Sequence, residues 1–120
     1  MSNIVREKSY EFSVKVIKIF LYLSKSKREF VLSKQLLKSG TSVGANIEEA
    51  IAASSPRDFI HKLTIANKEA RETSYWLNLL KDCGFLESEH FKDLESDCLE
   101  LRRIISAIII STKKNNNIKP

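Results

Sequence analysis

The residues best placed to do chemistry are cations near the start of the chain: Lys8, Lys15, Lys18, Lys25, Lys27 and Arg28. The first four are spaced 7, 3 and 7 residues apart, which aligns them on one face of a helix. Aligned cations are typical of a surface that contacts the regularly spaced charges of a nucleic-acid backbone. A helix-turn-helix pattern or an alternation of aromatic and basic residues would indicate base readout, and the sequence has neither. The stripe therefore predicts recognition of charge or shape, with a merely solvated helix face as the alternative.

Catalytic and metal-binding patterns are missing from the sequence, which has no phosphate-binding loop, dinucleotide turn or nucleophile elbow. Paired carboxylates on facing helices can form a di-metal centre, but such centres also need histidines that point inward. The two histidines, His61 and His90, stand in no metal-binding spacing. Ion pairing is therefore the expected role of the carboxylates Glu48, Glu49, Glu69 and Glu72. We predict a protein that is not an enzyme and has no cofactor.

Composition favours a cytoplasmic protein. No run of about 18 apolar residues is present, so no membrane span is expected. The first residues lack the pattern of a secretion signal, and Cys83 and Cys98 are expected to stay reduced. The net charge is +5, and residues 1–27 hold six basic side chains against two acidic ones. A basic first helix of this kind favours phosphates or acidic partners.

The cations and carboxylates must be positioned by helices, because only three Gly and two Pro occur in 120 residues. Apolar residues recur every three or four positions in four segments, at about 4–24, from about 27 to the early fifties, from 55 to about 83, and 88–112. This pattern predicts an all-α, antiparallel up-down-up-down four-helix bundle. Its limits are predicted at residues 1 and 112, and the polar segment 113–120 is expected to be disordered.

Local signals predict where the helices begin and end. Ser26 and Glu29 match a capping box, which places the start of the second helix near residue 27. Ser55 followed by Pro56 is typical of a helix start, and Gly84 is suited to the left-handed residue that ends the third helix.

Small residues inside the second helix predict a close approach of another backbone. Gly40 and Gly44 each cost up to about 1 kcal/mol relative to alanine in a helix, so a contact must offset that cost. A kink near Gly40 is the alternative. A buried amide would fix register by demanding partners, so close packing or register is predicted for Gly40, Gly44, Asn46 and Glu49.

The first and fourth helices have apolar arcs too broad for one bundle to cover. Exposed apolar surface of this kind marks a contact, which predicts a homo-oligomer rather than an apolar monomer. The interface candidates are Ile17, Phe20, Tyr75, Trp76, Ile109 and Ile110.

Two segments, QLLKSGTSVGANIEEA (35–50) and DFIHKLTIANKEARETSYWLNLL (58–80), carry a family resemblance. Together they resemble the four-helix bundle proteins encoded in intervening sequences of bacterial 23S ribosomal RNA genes. The likeness extends over nearly the whole chain, including the serine-rich link between the segments. The resemblance implies a ring-forming pentamer without a catalytic motif. It also implies a relation to accessory proteins of diversity-generating retroelements, which are basic barrels that bind a reverse transcriptase and nucleic acid.

Taken together, the sequence favours a non-enzymatic homo-oligomer that associates with RNA through the first helix, and the resemblance implies that the oligomer is a pentamer. The alternative is a protein–protein adaptor, for example for a reverse transcriptase, with no direct nucleic-acid role.

Overall fold

The computed structural model describes residues 3–119, and these form four helices. They are α1 (Asn3–Lys25), α2 (Leu32–Ile51), α3 (Pro56–Asp82) and α4 (Ser88–Asn115). Each helix packs against the next in the chain, and α4 returns to pack against α1. The predicted up-down four-helix bundle is confirmed, and it measures 49 × 21 × 21 Å. In this arrangement α1 and α3 lie on one diagonal of the bundle.

The core consists of the apolar stripes predicted by helical spacing. Long aliphatic side chains from every helix are fully buried, and burying one stabilises the fold by about 1.5–3 kcal/mol. The largest buried side chains are Phe12, Leu23, Leu36, Ile47, Leu63, Leu77, Leu80, Leu94, Leu101 and Ile105. No helix within residues 3–119 combines the length and the apolar character needed to cross a membrane.

The predicted start of the second helix was wrong. Helix α2 begins at Leu32, and the Glu29 carboxylate alone accepts hydrogen bonds from the backbone N–H groups of Val31, Leu32 and Ser33. Burial by itself would raise the pKa of Glu29, but these backbone hydrogen bonds outweigh it and lower that pKa. The Glu29 carboxylate thus satisfies the free N–H groups at the start of α2. Residues 26–31 form a loop instead of a first helical turn.

The signals at the two ends of α3 predicted its bounds correctly. The Ser55 hydroxyl accepts a hydrogen bond from the Asp58 N–H at 3.1 Å, and Pro56 takes the first helical position. At the other end Gly84 adopts φ +83°, and the Phe85 N–H donates to the Leu80 carbonyl at 2.9 Å.

Helix α2 runs unbroken through both of its glycines, and α1 lies against them. A Cβ built on Gly40 would meet the Val16 side chain at 2.8 Å, which is too close for an unchanged packing. A Cβ on Gly44 would lie 3.3 Å from the Ser9 carbonyl oxygen. The missing side chains therefore let α1 and α2 approach each other closely.

Helix α4 continues to Asn115, three residues beyond the predicted limit. The chain then turns, and the Ile118 N–H donates to the Lys113 carbonyl at 2.8 Å. The disorder expected for the rest of the tail stays a prediction. The predicted limits at residues 1 and 120 lie outside the described residues.

Candidate nucleic-acid interface

The seam between α1 and α4 contains two of the predicted phosphate-binding lysines. Lys8 Nζ lies 3.1 Å from Glu100 Oε1. Lys15 Nζ lies 2.8 Å from Asp97 Oδ2 and 3.1 Å from Asp93 Oδ1. The hydrogen bonds that Lys15 donates, first to Asp97 and then to Asp93, raise the pKa of Lys15. Since their charges are matched within the fold, these two lysines leave little free positive charge for a ligand.

A third predicted cation, Lys27, also faces a carboxylate. Its Nζ lies 3.1 Å from Glu87 Oε1, and the Tyr22 hydroxyl donates to the same carboxylate oxygen at 2.6 Å. The hydrogen bond from Tyr22 is the main cause that lowers the pKa of Glu87 to about 2, with a further contribution from Lys27. This cluster ties the end of α1 and the loop after it to the start of α4.

The other three predicted cations, Lys18, Lys25 and Arg28, are exposed. None of them forms an ion pair with any residue in the described range 3–119. Arg28 adopts φ +55° and lies over the Phe30 ring, 5.8 Å from its centroid. The structure thus divides the predicted six-residue surface into three paired and three unpaired cations.

A larger concentration of positive charge lies on the adjacent side of the bundle, on the outer face between α3 and α4. Three adjoining recesses there contain seven lysine and arginine side chains and no carboxylate. None of the seven has an ion-pair partner among residues 3–119. We call this surface the basic face; it comprises Arg57, Lys68, Arg71, Arg102, Arg103, Lys113 and Lys119.

The basic face was missed at the sequence level, although half of its signal was present. On α3 a second stripe runs beside the apolar one at spacings of 4, 3, 4, 3 and 4 residues. It consists of Arg57, His61, Thr64, Lys68, Arg71 and Tyr75. The other half, on α4, joins it only because the bundle places Arg102 and Arg103 opposite Arg71.

The recess at the Arg71 end of the basic face has a volume of about 450 Å³. Asn67 lies in it, and its Nδ2 donates to Ser106 Oγ at 3.0 Å. Arg71, Arg102 and Arg103 line the same recess. Guanidinium groups form bidentate hydrogen bonds with phosphate, so this arrangement suits a phosphorylated ligand.

Comparison with known proteins gives the evolutionary setting of this bundle. Residues 1–107 match the family described as 23S rRNA-intervening sequence protein. The chain belongs to this family. The fold is also similar to the crystal structure of a protein with unknown function from the S23 ribosomal protein family of Bacteroides thetaiotaomicron. The two share 46% sequence identity with a TM-score of 0.88, over 89% of this chain and 96% of the other. No protein of curated function matches the chain.

The residues predicted to fix close packing or register lie in different settings. Asn46 is half-buried, and its Nδ2 donates to the Ser42 carbonyl at 2.8 Å within α2 itself. Glu49 is exposed on the outer side of α2. A hydrogen bond between helices is instead made by two buried hydroxyls, because Thr73 Oγ1 on α3 donates to Ser39 Oγ on α2 at 3.0 Å.

The predicted interface residues are also divided. Phe20, Trp76 and Ile109 are half-buried, and the last two pack against the core of their own bundle. Ile17, Tyr75 and Ile110 are exposed, on three different helices.

A continuous apolar surface lies on the outer side of α1. Of the predicted interface residues, it includes Ile17 alone. Tyr10, Val14, Ile17 and Leu21 are exposed there at spacings of 4, 3 and 4 residues. We call these four residues the α1 apolar stripe. Exposed Phe30 and Val31, in the loop after α1, follow its C-terminal end in the chain. Contiguous apolar surface of this kind usually marks a contact.

The titratable groups provide no alternative site. Among residues 3–119, no group of three His, Cys, Asp or Glu side chains could hold a metal ion. Both cysteines are free thiols, and burial raises the pKa of Cys98 to about 11, which disfavours the reactive thiolate.

Proposed function

We propose that this protein is a non-enzymatic, cytoplasmic homo-oligomer that binds RNA through the basic face. One observation carries the proposal: seven cations without ion-pair partners share three adjoining recesses that contain no carboxylate. Grouping like charges raises the energy of the free protein, so a polyanionic ligand gains by neutralising them.

The form of the basic face fits a phosphate backbone. Six of its seven cations lie on the neighbouring helices α3 and α4, and Lys68 and Arg71 on α3 are about one helical turn apart. A nucleic acid supplies a row of negative charges, and each neutralised phosphate releases a counterion. The family description refers to 23S ribosomal RNA, which favours RNA over DNA as the first ligand to test.

The first helix has a smaller part in this proposal than its sequence suggested. Lys8, Lys15 and Lys27 are matched by acidic side chains of the α4 segment and the loop before it. Lys18 and Lys25 remain as isolated exposed cations on α1.

Self-association is the second element of the proposal, and the α1 apolar stripe supports it. Helix α1 lies diagonally across the bundle from α3, so a second copy seated on the stripe leaves the α3 row of the basic face open. The family resemblance implies five copies. In a ring, the net charge of +5 per chain is multiplied, which strengthens the attraction for a polyanion.

The adaptor function is the competing candidate, and the same stripe favours it. If a different protein occupies the α1 apolar stripe, the purified chain is a monomer. Light scattering after gel filtration distinguishes the two, because the mass is either 13.7 kDa or a multiple of it. In the double variant Ile17→Asp, Leu21→Asp an oligomer is expected to dissociate, whereas Leu99→Asp, Ile110→Asp on α4 should leave it intact.

RNA binding is tested by fluorescence anisotropy with a structured ribosomal RNA hairpin, at low and at near-physiological salt. The variant Lys68→Glu, Arg71→Glu, Arg103→Glu reverses three exposed cations of the basic face. The matched control Lys18→Glu, Lys25→Glu, Lys34→Glu makes the same change in net charge at exposed positions on α1 and α2. We expect the first variant to bind about 100-fold more weakly than the native protein, since affinity depends steeply on the number of phosphate contacts.

The control variant should lose less than about tenfold in RNA affinity, because only its net charge has changed. Equal losses in the two variants would mean that only total charge matters. A larger loss in the control would return the site to the first helix. Circular dichroism of both variants establishes that the helices are intact.

A further inference from the structure

The recess at the Arg71 end of the basic face contains more than cations. Leu99 and Ile110 line this recess together with the arginines, and they are 40% and 67% exposed. A phosphate group alone gains nothing from apolar surface. A nucleobase does, because its flat face packs on apolar side chains and on guanidinium planes. The lining therefore fits a whole nucleotide better than a phosphate.

A polar group in the recess also lacks a partner. Asn67 Nδ2 is engaged by Ser106, but Asn67 Oδ1 is buried and accepts no hydrogen bond from any residue in the range 3–119. Buried acceptors are normally satisfied. A water molecule or a ligand donor can satisfy this acceptor, and the amino and imino groups of nucleobases are such donors.

An exposed aromatic ring lies one helical turn beyond the recess. Tyr75 follows Arg71 by four residues on α3, so the two side chains share the outer face, and Tyr75 is 58% exposed. Its ring is held edge-on by Trp76, with the ring centroids 5.1 Å apart. A held, exposed ring beside cations is a platform on which an unpaired base stacks.

We propose that the recess binds one unpaired nucleotide of an RNA strand. Arg71, Arg102 and Arg103 hold its phosphate, and Leu99 and Ile110 receive the face of its base. Tyr75 stacks the neighbouring base of the same strand. This inference rests on the proposed RNA-binding function and narrows the ligand to unpaired RNA. Bases paired within a duplex are stacked on one another and do not present their flat faces to the protein.

The test compares the binding of a fluorescein-labelled single-stranded RNA 12-mer with that of the same strand annealed to its complement. We expect the single strand to bind at least about tenfold more tightly. Tyr75→Ala should weaken binding of the single strand by about five- to tenfold, the lower range for loss of one stacked base, and leave duplex binding unchanged. The matched control is Tyr10→Ala, which removes an exposed tyrosine from α1. Fluorescence of Trp76, the one tryptophan of the chain, reports directly on occupation of the platform.

The outcomes separate the two levels of the proposal. Equal binding of both RNAs, with Tyr75→Ala silent, overturns the nucleotide recess and leaves backbone binding in place. Binding of neither RNA overturns the proposed function itself. If a mixture of the four mononucleotides displaces the strand at equal concentration, the ligand is not a strand. The recess is then a site for free nucleotides. If Tyr10→Ala has the same effect as Tyr75→Ala, the platform is not on the basic face.

Discussion

Two regions of this bundle carry cations, and they use them in opposite ways. At the α1–α4 seam each lysine meets a carboxylate, as Lys15 meets Asp97 at 2.8 Å. On the basic face Arg71, Arg102 and Arg103 surround a recess with no carboxylate in it. The seam lysines contribute to holding two helices together, whereas the arginines of the basic face repel one another. Cations without partners are therefore the better indication of a binding surface.

The difference also shows why a count of cations misleads. Lys8, Lys15 and Lys27 count as cations in the sequence, yet each lies within 3.1 Å of a carboxylate that largely cancels its field. The basic face is less regular, because it is divided between two helices. Its field nevertheless extends into solvent over three adjoining recesses.

The largest expected contrast between the two regions is in the salt dependence of RNA binding. Each phosphate contact contributes about 0.7 to the logarithmic salt slope for a single strand and about 0.9 for a duplex. The variant Arg71→Ala, Arg102→Ala, Arg103→Ala should therefore reduce the slope by about 2. The variant Lys8→Ala, Lys15→Ala, Lys27→Ala should leave it within about 0.5 of the native value, because those lysines already have partners.

The measurement is a set of anisotropy titrations of one RNA at several salt concentrations, for the native protein and both variants. A reduced slope in the lysine variant would show that RNA displaces the carboxylates at the seam, and the contrast between the regions would then disappear.

The fold could be predicted from sequence because its signals are local. The apolar spacing in each helix, the Ser55–Pro56 start and the Gly84 end each depend on residues within a turn or two. The start of α2 was wrong for a reason of the same scale. The capping box assigned the cap to Ser26, whereas the Glu29 carboxylate accepts from three backbone N–H groups by itself.

The candidate site could be predicted only in part, because it depends on contacts distant in sequence. Lys15 and Asp97 are 82 residues apart, and no spacing within α1 reveals that they meet. The α3 half of the basic face is visible as a stripe, but its completion by Arg102 requires the register between α3 and α4. Helix faces were thus predictable, whereas their pairing was not.

A smaller contrast is expected when the pH is lowered, and it concerns the carboxylate that joins α1 to α4. The folded-state pKa of Glu87 is about 2, below its ordinary value of 4.5. A lowered pKa contributes stability that is present above pH 4.5 and is lost as the pH falls toward 2. Glu87→Gln should therefore lower Tm at neutral pH and reduce the fall in Tm between neutral and acid pH.

The matched control is Glu49→Gln, an exposed carboxylate of α2 that makes no ion pair within residues 3–119. Thermal unfolding followed by circular dichroism gives Tm for both variants over the acid range. If the two substitutions change the pH profile equally, the cluster of Tyr22, Lys27 and Glu87 is not a stabilising contact in solution.

The smallest expected effect is on stability, and it is measured by removing one cation from each region, Lys15 at the seam and Arg71 on the basic face. Lys15→Met removes two ion pairs and leaves Asp93 and Asp97 facing each other four residues apart on α4. Its side chain is 42% exposed, so the solvent-screened cost is only about 0.5 kcal/mol in the free energy of unfolding. Arg71→Met removes a cation that has like-charged neighbours and no carboxylate partner. It should leave the unfolding free energy unchanged or slightly raised.

Urea unfolding at low salt and at about 1 M salt, where the Debye length is about 3 Å, measures both effects. High salt should bring the two variants together, because it screens the attraction at the seam and the repulsion on the basic face alike. If Arg71→Met destabilises the bundle as much as Lys15→Met, Arg71 has a structural partner in solution. The basic face would then resemble the seam, and the absence of carboxylates would no longer identify a binding surface.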